Sequence, residues 1–176
     1  MSASDTDIIQ GCLANDIRMQ EALYQKYAAR MYAVCLRYAG NAEGAQDILQ
    51  EGFVKVFRNL SKFRADGSFE GWMRRIFVNT AIEHHRRRHP LADPFSEREE
   101  QIEEGSWNAL DKLALEDLMK MIQSLPEGYR TVFNLYTVEG YSHQEIGEML
   151  GIQEGTSKSQ FARARKALLE RIKGHV

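Results

Sequence analysis

From Thr156 to Val176 six positive side chains, Lys158, Arg163, Arg165, Lys166, Arg171 and Lys173, stand against a single acid, Glu170, in a chain whose formal net charge is -2. Such a local excess is what contact with phosphates requires, while Thr156, Ser159, Gln160 and Arg163 are side chains able to hydrogen-bond phosphates or base edges in a major groove. The residues just before them explain how this set is presented. In SHQEIGEMLGIQEGTSKSQFARARKAL, Ser142 to Leu168, Ser142 and Glu145 have the spacing of a capping box, so a helix begins there. Ile146, Met149 and Leu150 give it a buried stripe. Gly151 then supplies a sharp turn, and a second helix keeps Phe161, Ala164, Leu168 and Ile172 inward. Lys158, Ser159, Gln160, Arg163, Arg165 and Lys166 are left outward. A charge run on a helix is more often a solvated face, but the cap, the glycine turn and the short polar start of the second helix occur together, which favours a DNA-reading helix-turn-helix.

A second candidate set is the histidine group His84, His85 and His89, which invites a metal reading. Adjacent histidines project about 100° apart on a helix, and the surrounding sequence offers no carboxylate or cysteine set to complete a site. With Arg86, Arg87 and Arg88 they read as a basic, DNA-facing tail, and no metal or other cofactor is expected. Cys12 and Cys35 lack a CxxC spacing and a partnering histidine, so they read as small apolar side chains in a reducing compartment. Paired carboxylates, a nucleophile motif and a phosphate-cradling glycine loop are all missing, which argues against an enzyme, including a histidine-dependent nuclease.

These sets need elements to hold them. Charged residues make up 27% and apolar ones 43% of the 176, ordinary for a globular protein, so any nucleic-acid surface is a local patch. No run of about 18 apolar residues is present and the N-terminus lacks the pattern of a signal peptide, so a cytoplasmic protein without a membrane-inserted segment is expected. Only three prolines occur and strand-like runs are missing, which predicts an all-α chain.

Leu23, Tyr27, Met31, Val34, Cys35 and Tyr38 mark one helix, stopped by Gly40. Asn41 caps the next, which carries Ile48, Leu49, Phe53, Val56, Phe57 and Leu60. Ser68 caps a third, Phe69 to about Arg88, on which Trp72 joins Phe69, Ile76 and Thr80 in a core stripe. After it, HPLADPFSEREEQIEEGS has two prolines and, from Glu97 to Glu104, five acids against Arg98. It reads as a flexible acidic linker. A second helical block follows, with Leu110, Leu113, Leu118 and Ile122 on its first helix and Pro126 opening another that closes at Gly140. The expected organisation is two small helical domains, 1–89 and 107–176, joined by the linker 90–106.

The helix-turn-helix alone would fit many regulators; the first block narrows the field. DILQEGFVKVFRNLSKF, Asp47 to Phe63, followed by FEGWMRRIFVNTAIEHHRRR, Phe69 to Arg88, resembles the second conserved region of sigma-70-type RNA polymerase initiation factors. Leu125 to Leu168 resembles their fourth region. Order and spacing are similar to those of the small extracytoplasmic function (ECF) sigma factors, over most of the chain from about Leu13 to Ile172.

The resemblance implies binding to core RNA polymerase through a helix face carrying Asp47, Gln50 and Glu51. It implies a minus-10 reader at the loop 61–68 and the helix after it. Unstacking a promoter base costs a few kcal/mol, which a pocket must offset. Phe63 could stack on such a base and Asn79 sit at the pocket edge. Arg75, Asn79, Ile82 and Arg86 recur on one helix face, so Arg75 and Arg86, with Arg87 in the basic tail, could take phosphates. It implies minus-35 reading by the helix-turn-helix, passage of the acidic linker through the polymerase RNA channel, and an anti-sigma partner, soluble or membrane-anchored.

Two departures from the family pattern stand out. Ser157 replaces a branched apolar residue, which predicts a less firmly anchored second helix, and Gln160 stands where a basic residue is common. The competing reading is a two-domain helix-turn-helix transcription regulator that acts without polymerase.

Overall fold

A computed structural model describes residues 4–89 and 115–175. Among these the chain is helical throughout: α1 (Asp5–Leu13), α2 (Ile17–Ala39), α3 (Ala42–Asn59), a 3-10 turn (Leu60–Lys62), α4 (Phe69–Arg88), α5 (Leu115–Gln123), α6 (Glu127–Thr137), α7 (His143–Leu150) and α8 (Glu154–His175). The acidic linker, together with Trp107, Leu110 and Leu113, lies outside the described residues. The chain divides into two compact units, Met1–Leu36 with Asn41–Ala81, and Arg37–Gly40 with Ile82–Val176. The division falls within α4, whereas the sequence blocks were expected to part after residue 89.

In unit 1 most of the striped apolar positions of α2 and α3 are buried, Leu23, Tyr27, Met31, Val34 and Cys35 on α2 and Ile48, Phe53, Val56 and Leu60 on and just after α3, while Leu49 and Phe57, expected in the same stripe, are only half-buried. The caps that start the helices are the expected ones. The Asn41 side chain accepts from the Gly44 amide at 2.8 Å and Ser68 from that of Gly71 at 3.0 Å. Helix α4 closes the core with Phe69, Met73, Phe77 and Val78. Its approach to α3 depends on Gly52, since a Cβ there would meet the Phe77 ring at 2.2 Å.

Helix α1 is an addition to what periodicity revealed. Ser4 and Asp7 form its capping box, and the Asp5 carboxylate accepts from the Tyr27 hydroxyl at 2.7 Å and from Lys26 Nζ at 2.8 Å. Burial and this carboxylate drive the Tyr27 phenol well above its ordinary range. Cys12, on the buried side of α1, and Cys35 are buried and outside any disulfide.

Unit 2 has a different interior. Met121, Ile122, Leu125, Phe133, Ala164, Leu168 and Ile172 form its apolar cluster, but polar side chains are buried beside it. Arg130, 6% exposed, donates to the carbonyls of Gln123, Leu125, Tyr38 and Ala39 at 2.7–3.2 Å. Asn134, fully buried, donates to Arg37 and Arg130 carbonyls at 2.8 and 2.9 Å. Carbonyls at helix ends lack intrahelical donors, so these side chains satisfy groups that burial would otherwise penalise. Pro126 is the N-cap of α6 rather than its first helical residue, and α6 ends at Thr137, three residues before Gly140.

Candidate nucleic-acid and polymerase interfaces

Unit 1 carries two concave surfaces. The first is an open pocket of about 430 Å³ where the 60s loop meets the start of α4, walled by Lys62, Phe63, Arg64, Asp66, Ser68, Trp72 and Arg75 among others. Phe63, half-buried, packs 5.2 Å from Phe69 and 5.5 Å from Trp72, while Phe69 and Trp72 stack at 5.6 Å. Phe63 and Trp72, backed by the buried Phe69, thus present ring surface beside three cations. Trp72 was expected to be a core residue; it is half-exposed and forms part of this wall.

Asn79 is exposed on α4, one turn beyond Arg75, and is not among the pocket's walls. Along that face Arg75 and Arg86 are also exposed, but Ile82 is only 5% exposed. The expected four-residue outer stripe is therefore interrupted by a core position. Arg87 is exposed and lies 3.4 Å from Glu83.

The second surface is a mostly apolar groove of about 710 Å³ between α2 and α3, walled by Tyr24, Ala28, Tyr32, Leu49, Gln50, Phe53, Val54 and Phe57 among others. Tyr24 leans on Phe53 at 4.7 Å and, like Val54, remains more than 40% exposed. Asp47 and Gln50 are exposed on the same helix, and Glu51 pairs with Lys55 at 3.0 Å. The sequence reading did not reveal the groove, because Tyr24, Tyr32 and Val54 fall outside the stripes read on α2 and α3. The signal available was an excess of large side chains over what one stripe can bury.

In unit 2 the helix-turn-helix has the expected construction. Ser142 Oγ accepts from the Glu145 amide and Glu145 receives the Ser142 amide. Gly151 closes α7 at φ +71, in the left-handed region where glycine avoids the Cβ penalty. A Cβ on Gly147 would stand 2.8 Å from the Ile152 carbonyl, so a glycine there lets the turn fold back on α7.

The start of α8 departs from expectation. Ser157 is fully buried and its hydroxyl lies 2.9 Å from His143 Nδ1. His143 in turn stacks on Tyr136, centroids 4.4 Å apart and planes within 10°. Ser157 thus meets the fold through a hydrogen-bonded pair in place of the apolar contact of the family pattern. Burial first, with the Lys158 charge next, pushes the His143 imidazole below its ordinary range.

On the outer side Lys158 and Lys166 are exposed, and Lys158 pairs with Glu154 at 2.7 Å. Thr156, Ser159, Gln160, Arg163 and Arg165 are half-buried. The Arg163 guanidinium donates to the Tyr129 hydroxyl at 3.4 Å, and Arg165 lies 6.0 Å from the centre of the Phe161 ring. The Gln160 side-chain oxygen is buried and borders Gly128, so this residue, expected to point outward, turns partly into unit 2.

Glu127 was not singled out from sequence. Its carboxylate lies 3.5 Å from His85 Nδ1 and 3.1 Å from His89 Nε2, with Arg88 Nε at 3.8 Å. The carboxylate missing near the histidine group in sequence is thus supplied from 38 residues further on. Burial alone would raise Glu127, but the His89 hydrogen bond and neighbouring positive charge hold it below the ordinary carboxylate range.

This pairing of a polar-rimmed helical bundle with a capped helix-turn-helix is matched by two family models, Sigma-70 region 2 over residues 23–90 and Sigma-70 region 4 over residues 115–168. The RNA polymerase sigma-H factor of Pseudomonas aeruginosa is 32% identical over 93% of this chain and 91% of its own. The ECF RNA polymerase sigma factor SigW of Bacillus subtilis is also 32% identical, over 84% of this chain and 85% of its own. Among solved structures, the sigma factor RpoE in complex with the anti-sigma factor NepR, from Bartonella quintana, shares the fold at a TM-score of 0.51 and 21% identity, covering 87% of this chain and 96% of that one. The chain belongs to the sigma-70 family of RNA polymerase sigma factors, in its ECF group. It is accordingly a transcription initiation factor rather than an enzyme.

Proposed function

We propose that the two units divide promoter recognition, unit 1 holding the opened minus-10 element and the helix-turn-helix reading the minus-35 duplex. The observation that carries this reading is the pair of rings Phe63 and Trp72, backed by the buried Phe69, beside Lys62, Arg64 and Arg75. Stacked rings beside cations suit an extruded base and its phosphates, and a concave site cannot follow an intact duplex groove. Arg86 and Arg87 are phosphate contacts in this scheme, and Asn79 meets the strand one turn beyond the pocket. Thr156, Lys158, Ser159, Gln160, Arg163, Arg165 and Lys166 make up the upstream reader, with Gln160 requiring a rotamer change to reach DNA.

The apolar groove with Asp47, Gln50 and Glu51 on its helix is the docking surface for core RNA polymerase. Its exposed Tyr24 and Val54 provide area and the acids provide charge selectivity. The protein acts in the cytoplasm, where polymerase is found; no helix among the described residues is long and apolar enough to cross a membrane. An anti-sigma partner is part of the reading, as one is bound to the Bartonella protein.

The test is transcription by purified core polymerase with and without this chain on a promoter it controls, together with Asp47→Arg/Glu51→Arg. Promoter-specific transcripts that require the chain and disappear in the charge-reversed variant are expected. DNA binding by the chain alone at full strength, with no dependence on polymerase, would overturn the reading.

A further inference from the structure

His85 and His89 are one helical turn apart, with ring centroids 5.0 Å from each other. The His89 amide still donates to the His85 carbonyl at 3.0 Å, so the spacing remains helical past the last residue of α4. Two histidines at i and i+4 on one helix face are an established way to present two nitrogens to one metal ion. Glu127, the first residue of α6, sets its Oε1 3.5 Å from His85 Nδ1 and its Oε2 3.1 Å from His89 Nε2. One donor atom from each residue falls within 4.8 Å of the other two.

These separations can be compared with what a metal demands. Two ligands about 2.0–2.1 Å from a tetrahedral zinc ion stand roughly 3.3 Å apart. Both carboxylate–imidazole separations, 3.5 and 3.1 Å, are close to that value, and all three donor atoms lie within 4.8 Å of one another.

A hydrogen-bonded cluster explains the arrangement less fully. Only the His89 contact has hydrogen-bond geometry; His85 Nδ1 is buried with no hydrogen-bond partner. An imidazole nitrogen turned toward a carboxylate without bonding it has its lone pair or its proton unused. Beside the histidines lies a small cavity of about 150 Å³, also walled by Gly128, Ile152 and Gln160, large enough to hold water. Arg88 Nε, 3.8 Å from Glu127, is the competing cation, and Arg88 is exposed and free to swing into solvent.

We propose that His85, His89 and Glu127 form a binding site for a divalent transition ion of the zinc class, with three protein ligands and one open position. Two imidazoles and one carboxylate select against the harder calcium and magnesium ions, which take oxygen ligands. Occupancy would tie the last turn of α4 to the first turn of α6, and would do so beside Gln160, a member of the proposed upstream reader.

The experiment titrates tag-free full-length protein with Co²⁺ and follows visible d–d absorption, then displaces it with Zn²⁺. The expected result is one ion per chain with the intense bands of a four-coordinate nitrogen-oxygen site. His89→Ala, at an exposed residue, should fold normally by circular dichroism and lose roughly tenfold or more in affinity, as should His85→Ala and Glu127→Gln. His84→Ala, next to the cluster but outside it, should bind as the parent does. Absence of the spectrum in the parent, or binding that survives His89→Ala and Glu127→Gln, overturns the site. This readout does not depend on transcription, so it stands or falls separately from the promoter-reading scheme.

Discussion

The two surfaces proposed to meet nucleic acid have opposite shapes. Unit 1 offers a hollow floored by rings, Phe63 and Trp72, with cations around its rim. Unit 2 offers a ridge, α8, whose Lys158 and Lys166 stand out while Arg163 and Arg165 lie back against aromatic neighbours. The interiors differ as well: unit 1 is packed around Phe53, Phe69 and Phe77, whereas unit 2 buries Arg130, Asn134 and Ser157 among its apolar residues. The contrast teaches that a strand-holding surface needs a stiff apolar base, while a groove-filling helix can be oriented by a few hydrogen bonds. Hydrogen bonds fix an angle and a register, and aromatic packing resists collapse of a cavity.

The largest effect that bears on this comparison is Phe77→Ala, which empties the fully buried centre of unit 1 and removes the ring that rests on Gly52. A loss of about 3–5 kcal/mol is expected from the usual cost of such truncations. Urea denaturation followed by circular dichroism measures it, and a loss below about 1 kcal/mol would show that the rings of Phe63 and Trp72 do not depend on this core. Next in size, Phe63→Ala should cost about 1–3 kcal/mol of stacking on an extruded base. It should reduce open-complex formation, scored by permanganate reactivity of unpaired thymines, while binding to upstream duplex is unchanged. An equal loss on both substrates would erase the distinction between hollow and ridge.

Smaller still, Lys158→Ala should weaken binding to duplex a few-fold regardless of sequence and lower the slope of log K against log salt by about 0.9, the share of one phosphate. A change in base preference with no change in salt slope would assign this residue to base reading instead.

The smallest effect concerns pH. Burial lowers the His143 pKa in the fold below its unfolded value near 6.5, so folding holds the neutral form. Its contribution is complete above that value and is lost as pH falls below it toward the folded pKa. Thermal midpoints followed from pH 8 to pH 5 should therefore decline on the acid side, and His143→Gln should flatten the decline. Indistinguishable pH profiles would remove His143 from the anchoring of α8.

Much of this architecture could be read from residue order. The stripes of α2 and α3, the caps Asn41, Ser68 and Ser142, and the turn at Gly151 are local features, since each depends on residues within a few positions. On α8 the outward placement of Lys158 and Lys166 was legible for the same reason, whereas Ser159, Gln160, Arg163 and Arg165, expected outward, are half-buried. What could not be read depends on distant partners. Glu127 acquires meaning only when α6 is placed beside the end of α4, and Trp72 shares a pocket wall with Phe63 only through the way the 60s loop folds. Ile82 matched the spacing of an outer stripe, yet it is buried, because a periodicity of three and four does not say how wide a helix's covered face is. Helix α1 is nine residues long and begins beside the chain end, too short a segment for periodicity to announce itself.

The bond between Ser157 and His143 also limits how this protein can change over generations. A branched apolar residue at position 157 would leave the His143 nitrogen without its partner inside the fold, and a non-polar residue at 143 would strand the Ser157 hydroxyl in the same way. Either single step passes through a less stable intermediate, while the two together restore a matched apolar pair. Positions 143 and 157 are therefore expected to covary among descendants of this chain, and the route from one solution to the other is an epistatic one.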